Sequence, residues 1–114
     1  MSVKIETLDT LEKAISLEVE NAKEYGERYN SNHEFYGVFL EEFEELKTEW
    51  DALDSYTNVL WQEIKLNQDI TNNLKYMGII ARRLLSEASQ VAAVIDKHLA
   101  TVKENKECLK KESQ

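Results

Sequence analysis

Apolar residues recur along this chain at helical spacing. Over residues 8–25 they fall at Leu8, Leu11, Ile15, Val19, Ala22 and Tyr25, with Glu12, Lys13, Glu20 and Lys23 on the other face. That is the signature of a first amphipathic helix. Gly26 and the polar run 30–32 interrupt it. Ser31 followed by Glu34 is the S-x-x-E of a capping box and predicts the start of a second helix. At about 100° of rotation per residue, Phe35, Phe39, Leu46, Trp50 and Leu53 then share one stripe, so this helix runs from about residue 33 to at least 53. Residues 54–75 are ambiguous. Asp54, Ser55 and Thr57 suggest a break, Leu60, Trp61 and Ile64 renew the stripe, and 67–69 suggest an ending. A continuation, a separate short helix and a flexible excursion all fit. A last helix is predicted over about 76–102, on Ile80, Leu84, Val91, Val94, Ile95 and Val102, with Ala88, Ala92 and Ala93 small enough for close helix approach. Residues 1–6 read as a loose lead, and the charged tail from about 103 as frayed.

Composition supports the same picture. There is no proline, glycine is scarce, and 114 residues make one domain, 1–114, with a modest core. The expected fold is an all-α bundle, with its core completed by oligomerisation. A net charge of −8 argues against nucleic acid and anionic membrane surfaces as partners. It leaves room for a phosphate ligand bridged by a divalent cation. Cys108 is the only cysteine, which fits a reducing compartment, and no apolar run is long enough to span a bilayer. A cytoplasmic protein is expected.

The stripes carry residues that a core does not want. Glu42 lies inside the apolar stripe of the second helix, with Glu49 on its flank, Glu45 further round and Glu41 further still. Glu87 lies in the middle of the last helix's stripe, with Gln90 on its edge and His98 also on it. An ionised carboxylate in a core is costly unless it is paired or bound to a metal. A pairing partner for Glu87 is at hand in Arg83, and snorkelling is a further way out. Carboxylates on two helices suit a hard cation, Mg²⁺ or Mn²⁺. A di-iron centre would want Glu-x-x-His motifs, and the residues three before His33 and His98 are Asn30 and Ile95. Zinc is disfavoured by one cysteine and two distant histidines. His33 itself reads as a surface or capping residue or as a ligand contact. Trp61 reads as a packing or interface anchor, or as a stacking platform.

The pattern HExYxVxLEExxEL over residues 33–46, joined to E-A-x-Q-V-A-A over 87–93, resembles the MazG-like all-α nucleotide pyrophosphohydrolases, most closely the small phage and prophage type. That family carries E-x-x-E on one helix and E-x-x-D on the next. Glu42 and Glu45, preceded by Glu41, match the first pair, and Glu87 matches the start of the second. Gln90 stands where the family has aspartate, and 41 residues separate Glu45 from Glu87, more than in compact members. The resemblance implies a homodimeric or homotetrameric, Mg²⁺- or Mn²⁺-dependent enzyme that splits a nucleoside triphosphate into monophosphate and pyrophosphate. It implies metal ligation by Glu41, Glu42, Glu45, Glu87 and Gln90, with Glu42 and Glu45 catalytic. Lys65, Lys75, Arg82 and Arg83 are the candidates to meet phosphates. Gln90 keeps a second class of function open: a catalytically degenerate helical module that binds a nucleotide or a protein.

Overall fold

A computed structural model of the chain describes residues 4–23, 26 and 28–112. The protein is all-helical, with no strand among the described residues. Helix α1 spans Ile5–Ala22, α2 spans Asn32–Lys65 and α3 spans Thr71–Glu112. The two long helices form an antiparallel hairpin. Helix α1 packs on α3 and makes no close backbone approach to α2. The central element is therefore α3, flanked by α2 along its length and by α1 over less than half of it. At 1.5 Å per residue, α3 alone is about 63 Å long, which accounts for most of the molecule's 71 Å long axis.

Local chemistry explains each boundary. Ser31 adopts extended backbone and its Oγ accepts from the Glu34 amide at 3.1 Å, so the N-cap expected of the capping box forms. The Glu34 carboxylate does not return the favour to the cap. It accepts from Asn30 Nδ2 at 2.8 Å. Gly26, at φ +123°, supplies a backbone conformation that other residues rarely adopt, between α1 and α2.

The ambiguous stretch 54–75 resolves into a continuous α2, a tight turn and the start of α3. Ser55 and Thr57 do not break α2, because their hydroxyls bond back to the carbonyls of Asp51 and Leu53 at 3.1 and 3.0 Å. The helix ends in a Schellman motif. The Gln68 amide reaches the Glu63 carbonyl at 2.9 Å, the Asn67 amide reaches Ile64 at 3.1 Å, and Asn67 takes a left-handed φ of 53°. Asp69 then receives the Thr71 amide and hydroxyl at 2.9 and 2.6 Å, and these bonds hold its carboxyl below the ordinary aspartate range. Helix α1 starts at Ile5, inside the expected loose lead. The expected end of α1 at Tyr25 lies outside the described residues. Helix α3 continues through Glu112, beyond the point where fraying was expected.

The core is thin. Ile80, Ala93 and Val94 are the buried apolar residues, all on α3, and α1 and α2 contribute no fully buried residue. Ile95 and Ala88, expected to face inward, are exposed, and so is Trp50 at 60%. The expected stripe residues Phe35, Phe39, Leu46 and Leu53 are half-buried. A ladder of rings, Phe35, Phe39 and Phe43, runs along α2 at 5.9 and 5.8 Å spacing, and Phe35 stacks on the buried His98 at 4.4 Å.

The exposed surface is correspondingly large, 9112 Å². A compact monomer of this mass exposes about 6,400 Å². The Cα radius of gyration is 19.4 Å, against about 13 Å for a compact chain of this length. No helix among the described residues is long and apolar enough to cross a membrane.

Candidate functional site

Helices α2 and α3 bring three carboxylates together. One oxygen each from Glu42, Glu45 and Glu87 lies within 4.8 Å of the others. The i, i+3 spacing places Glu42 and Glu45 on neighbouring turns of α2, and the antiparallel hairpin presents Glu87 opposite them. Glu42 and Glu87 are half-buried, while Glu45 sits at the solvent edge. Among the described residues none of the three is in a salt bridge, and Arg83 does not reach Glu87. Glu42 Oε2 and Glu87 Oε2 are enclosed without a hydrogen-bond partner.

The electrostatics follow from that enclosure. Burial, then Glu45, Glu41 and Glu18, raise the Glu42 carboxyl above the ordinary glutamate value. Burial first, then a hydrogen bond that the protonated Glu87 carboxyl donates to Glu45, and the charges of Glu45, Glu42 and Glu49, raise Glu87. Each cause penalises the ionised form. The cluster is therefore an excess of negative charge that no ion pair among the described residues offsets.

The remaining candidates fall around this group. Gln90 is half-buried, one turn beyond Glu87, and lines a cleft of about 410 Å³ that Glu42 also lines. Glu41 is exposed and outside the three-carboxylate group. It acts on the site only through its charge on Glu42. Glu49 is half-buried and near enough to act on Glu87. The basic candidates do not face the cleft. Lys65 lies over its neighbour Trp61 at 5.6 Å, and Arg82 bonds the Gly78 carbonyl at 3.0 Å. Lys75 and Arg83 are exposed, and none of the four lines the cleft. His33 is exposed at the rim of a separate, shallow depression beside His98.

Several cleft residues were not singled out from the sequence, among them Arg28, whose guanidinium pairs with Glu104, and Glu18, Lys97 and Tyr29. Glu18 brings α1 into the site and acts on Glu42. Its place three residues after Ile15, on the flank of the α1 stripe, was the available signal. Lys97 is buried in the cleft wall, seven residues after Gln90 and three after Val94, so its inward face was legible from spacing. Tyr29 lies between the helices, where periodicity has no force. Burial and the charges of Glu42 and Glu34 raise its phenol above the ordinary value, so it remains a neutral donor.

The donor set fits a hard divalent cation. It is all oxygen, it is anionic, and two of its three residues, Glu42 and Glu87, each carry an enclosed oxygen without a hydrogen-bond partner. It does not fit zinc, since neither histidine belongs to the group. No protein-family model matches the chain, and neither a curated protein nor a solved structure matches it.

Proposed function

We propose that this protein is a Mg²⁺- or Mn²⁺-dependent nucleoside triphosphate pyrophosphohydrolase of the small, phage-type MazG-like kind, working in nucleotide housekeeping in the cytoplasm. One observation carries the reading: Glu42, Glu45 and Glu87 bring one oxygen each within 4.8 Å of one another from two helices, and Glu42 and Glu87 each enclose an oxygen that has no hydrogen-bond partner. Glu42, Glu45 and Glu87 hold the cation, and Gln90 offers it a neutral amide oxygen. When bound, the cation neutralises phosphate charge and polarises the α-phosphorus. A water attacks that phosphorus, the bond to the α–β bridging oxygen breaks, and pyrophosphate leaves with the bond's electron pair. Glu45, at the solvent edge, accepts the proton of the attacking water, while Glu42 fixes the inner side of the site. Catalysis of this kind is mostly positioning and charge stabilisation, which rigid helices supply.

The assembly belongs to the same proposal. The surface in excess of a compact monomer is about 2,700 Å², with Trp50, Val59, Trp61, Ile64 and Leu85 among the exposed apolar side chains. An obligate dimer buries about 1,000–2,500 Å² per copy. A second copy laid along the hairpin would supply the missing layer of a bundle.

Gln90 favours the second reading, a degenerate helical module that binds without turnover. A panel of nucleoside triphosphates, incubated with Mg²⁺ in ¹⁸O-labelled water, separates the two. The enzyme places the label on the monophosphate and releases pyrophosphate. Absence of cleavage across the panel, with the protein folded, leaves only the binding module.

A further inference from the structure

One face of the α2–α3 hairpin has no cover. Asn73, Glu87 and His98 of α3 meet α2, while Gln90, Ala93 and Lys97 share the cleft with α1. A third series on α3 meets neither helix: Leu74, Ala81, Leu85, Ala88, Ile95 and Leu99 are all exposed. Their steps of seven, four and three are heptad spacing. At about 100° per residue they lie roughly 160° round α3 from the cleft residues. Helix α2 repeats the pattern. Tyr36, Phe43, Trp50, Thr57 and Ile64 recur every seven residues, all exposed, and are turned away from the Glu34, Val38 and Glu42 that line the cleft. Neither series contains a charge. A recess of about 100 Å³ between Trp50, Leu53, Asp54 and Thr57 opens on this face. Apolar seams at heptad spacing, with holes between them, are what one helix pair presents to another.

Area, size and charge identify what covers it. The chain exposes about 2,700 Å² more than a compact monomer, enough for the roughly 1,000–2,500 Å² that each copy buries in a permanent dimer. The Phe35–His98 and Tyr56–Tyr76 stacks set the hairpin's register. In that register Phe43 stands level with Ala88, and Trp50 with Ala81. A two-fold axis along the hairpin keeps these levels and lays α2 on the partner's α3, so large side chains meet small ones. Charge selects the same axis. Residues 48–63 carry Glu49, Asp51, Asp54 and Glu63 and no base, whereas residues 71–86 carry Lys75, Arg82 and Arg83 and no acid. None of these seven is in an ion pair among the described residues. The axis along the hairpin sets the two signs side by side. An axis across it would lay α2 on α2, acid against acid.

Resting on the assembly proposed above, we infer that two copies pair through this face, each α2 lying antiparallel on the partner's α3 in a four-helix core. The cleft and the carboxylate group are on α1's side and stay open, so pairing needs no metal.

Sedimentation equilibrium of the full chain in chelator tests the inference. Wild type is expected to be dimeric at micromolar concentration. Trp50→Gln and Leu85→Gln, both at exposed positions, are each expected to weaken the dimer at least about tenfold with helix content unchanged. Charge reversal tests the orientation and replaces either variant should it lose helix content. Asp51→Lys with Asp54→Lys, and separately Lys75→Glu with Arg82→Glu, should each weaken the dimer at least about tenfold. An equimolar mixture of the two should restore it, because every α2 then meets an α3 of opposite sign. A monomeric wild type overturns the inference and gives the face another occupant. A dimer indifferent to Trp50 and Leu85 overturns it too, but leaves the proposed assembly standing on another surface. Charge-reversed chains that pair like wild type, or a mixture that stays apart, overturn the orientation. Triphosphate cleavage by a chain that does not pair this way leaves the proposed activity standing, and pairing without cleavage does the reverse.

Discussion

Replacing Glu87 by glutamine should stabilise the metal-free protein, although it alters an enclosed polar residue. Glu87 shares its surroundings with Glu42 and Glu45, with oxygens within 4.8 Å of one another. At that separation two unit charges repel by about 0.9 kcal/mol in a water-like medium and about 3.5 kcal/mol at an effective dielectric of 20. Glu45 faces solvent, so the lower part of that range applies. Glutamine keeps the shape, removes the charge and donates to Glu45, as the protonated Glu87 does. The expected gain is about 1–2 kcal/mol near neutral pH, or about 4–8 °C in Tm.

The pH dependence has a definite sign. Burial and neighbouring carboxylates raise Glu42 and Glu87, so the folded chain holds these protons more tightly than the unfolded chain. Their contribution is most favourable below the ordinary glutamate range and is lost as pH rises through the raised values. Wild type should therefore lose stability from this source between the ordinary glutamate value of 4.5 and the raised values. Glu87→Gln should show a shallower loss. Melting by circular dichroism across that range, in chelator and then in Mn²⁺, measures both effects. Mn²⁺ should raise the wild-type melting temperature by mass action and the variant's by less. A Glu87→Gln chain that melts lower than wild type, with an unchanged Mn²⁺ response, would refute the reasoning and show a hidden pairing partner for Glu87.

Light scattering at micromolar concentration should give a dimer or tetramer, and a monomer alone would refute the bundle-completion argument. Glu42→Gln should abolish triphosphate cleavage while leaving helix content intact, as read by pyrophosphate release and circular dichroism. Gln90→Asp should raise the cleavage rate and tighten Mn²⁺ binding; a fall in both, with lower stability, would place Gln90 in packing. Ser31→Ala should cost about 1 kcal/mol by thermal melting, because Ser31 Oγ caps the Glu34 amide.

Much of the fold was legible because the chain states it locally. The Ser31 cap and the turn at 67–69 form where short-range chemistry put them. The stripe around Ile80 and Val94 also faces inward as periodicity predicted. The stretch 54–65 was not legible, since the hydroxyls of Ser55 and Thr57 mark a break in one context and bond back along the helix in another. Trp50 and Ile95 misled for a different reason. Periodicity assigns an apolar face, and it does not say whether the chain itself has a layer to cover that face. In the site, the convergence of Glu42, Glu45 and Glu87 followed from two stripes meeting. The roles of Glu18 and Tyr29 depended on where α1 docks on α3, which no local pattern encodes.

Lys65, Arg82 and Arg83 failed as cleft cations for a reason that bears on the carboxylates. A glutamate on an apolar stripe has three ordinary fates: it snorkels, it pairs, or it takes a proton. Snorkelling would expose both oxygens, yet Glu42 Oε2 and Glu87 Oε2 are enclosed. Pairing would need a cation in reach; Arg83 is exposed, Arg28 in the same cleft pairs with Glu104, and among the described residues neither carboxylate is in an ion pair. Proton uptake is the resort of the metal-free protein, and the raised Glu42 and Glu87 carboxyls express it. That arrangement costs stability in a protein whose core is already thin. Sequences break local rules of this kind chiefly at functional sites. A divalent cation held by the three carboxylates would offset that repulsion. The metal-dependent gain in melting temperature is therefore the measurement on which the carboxylate cluster's role turns.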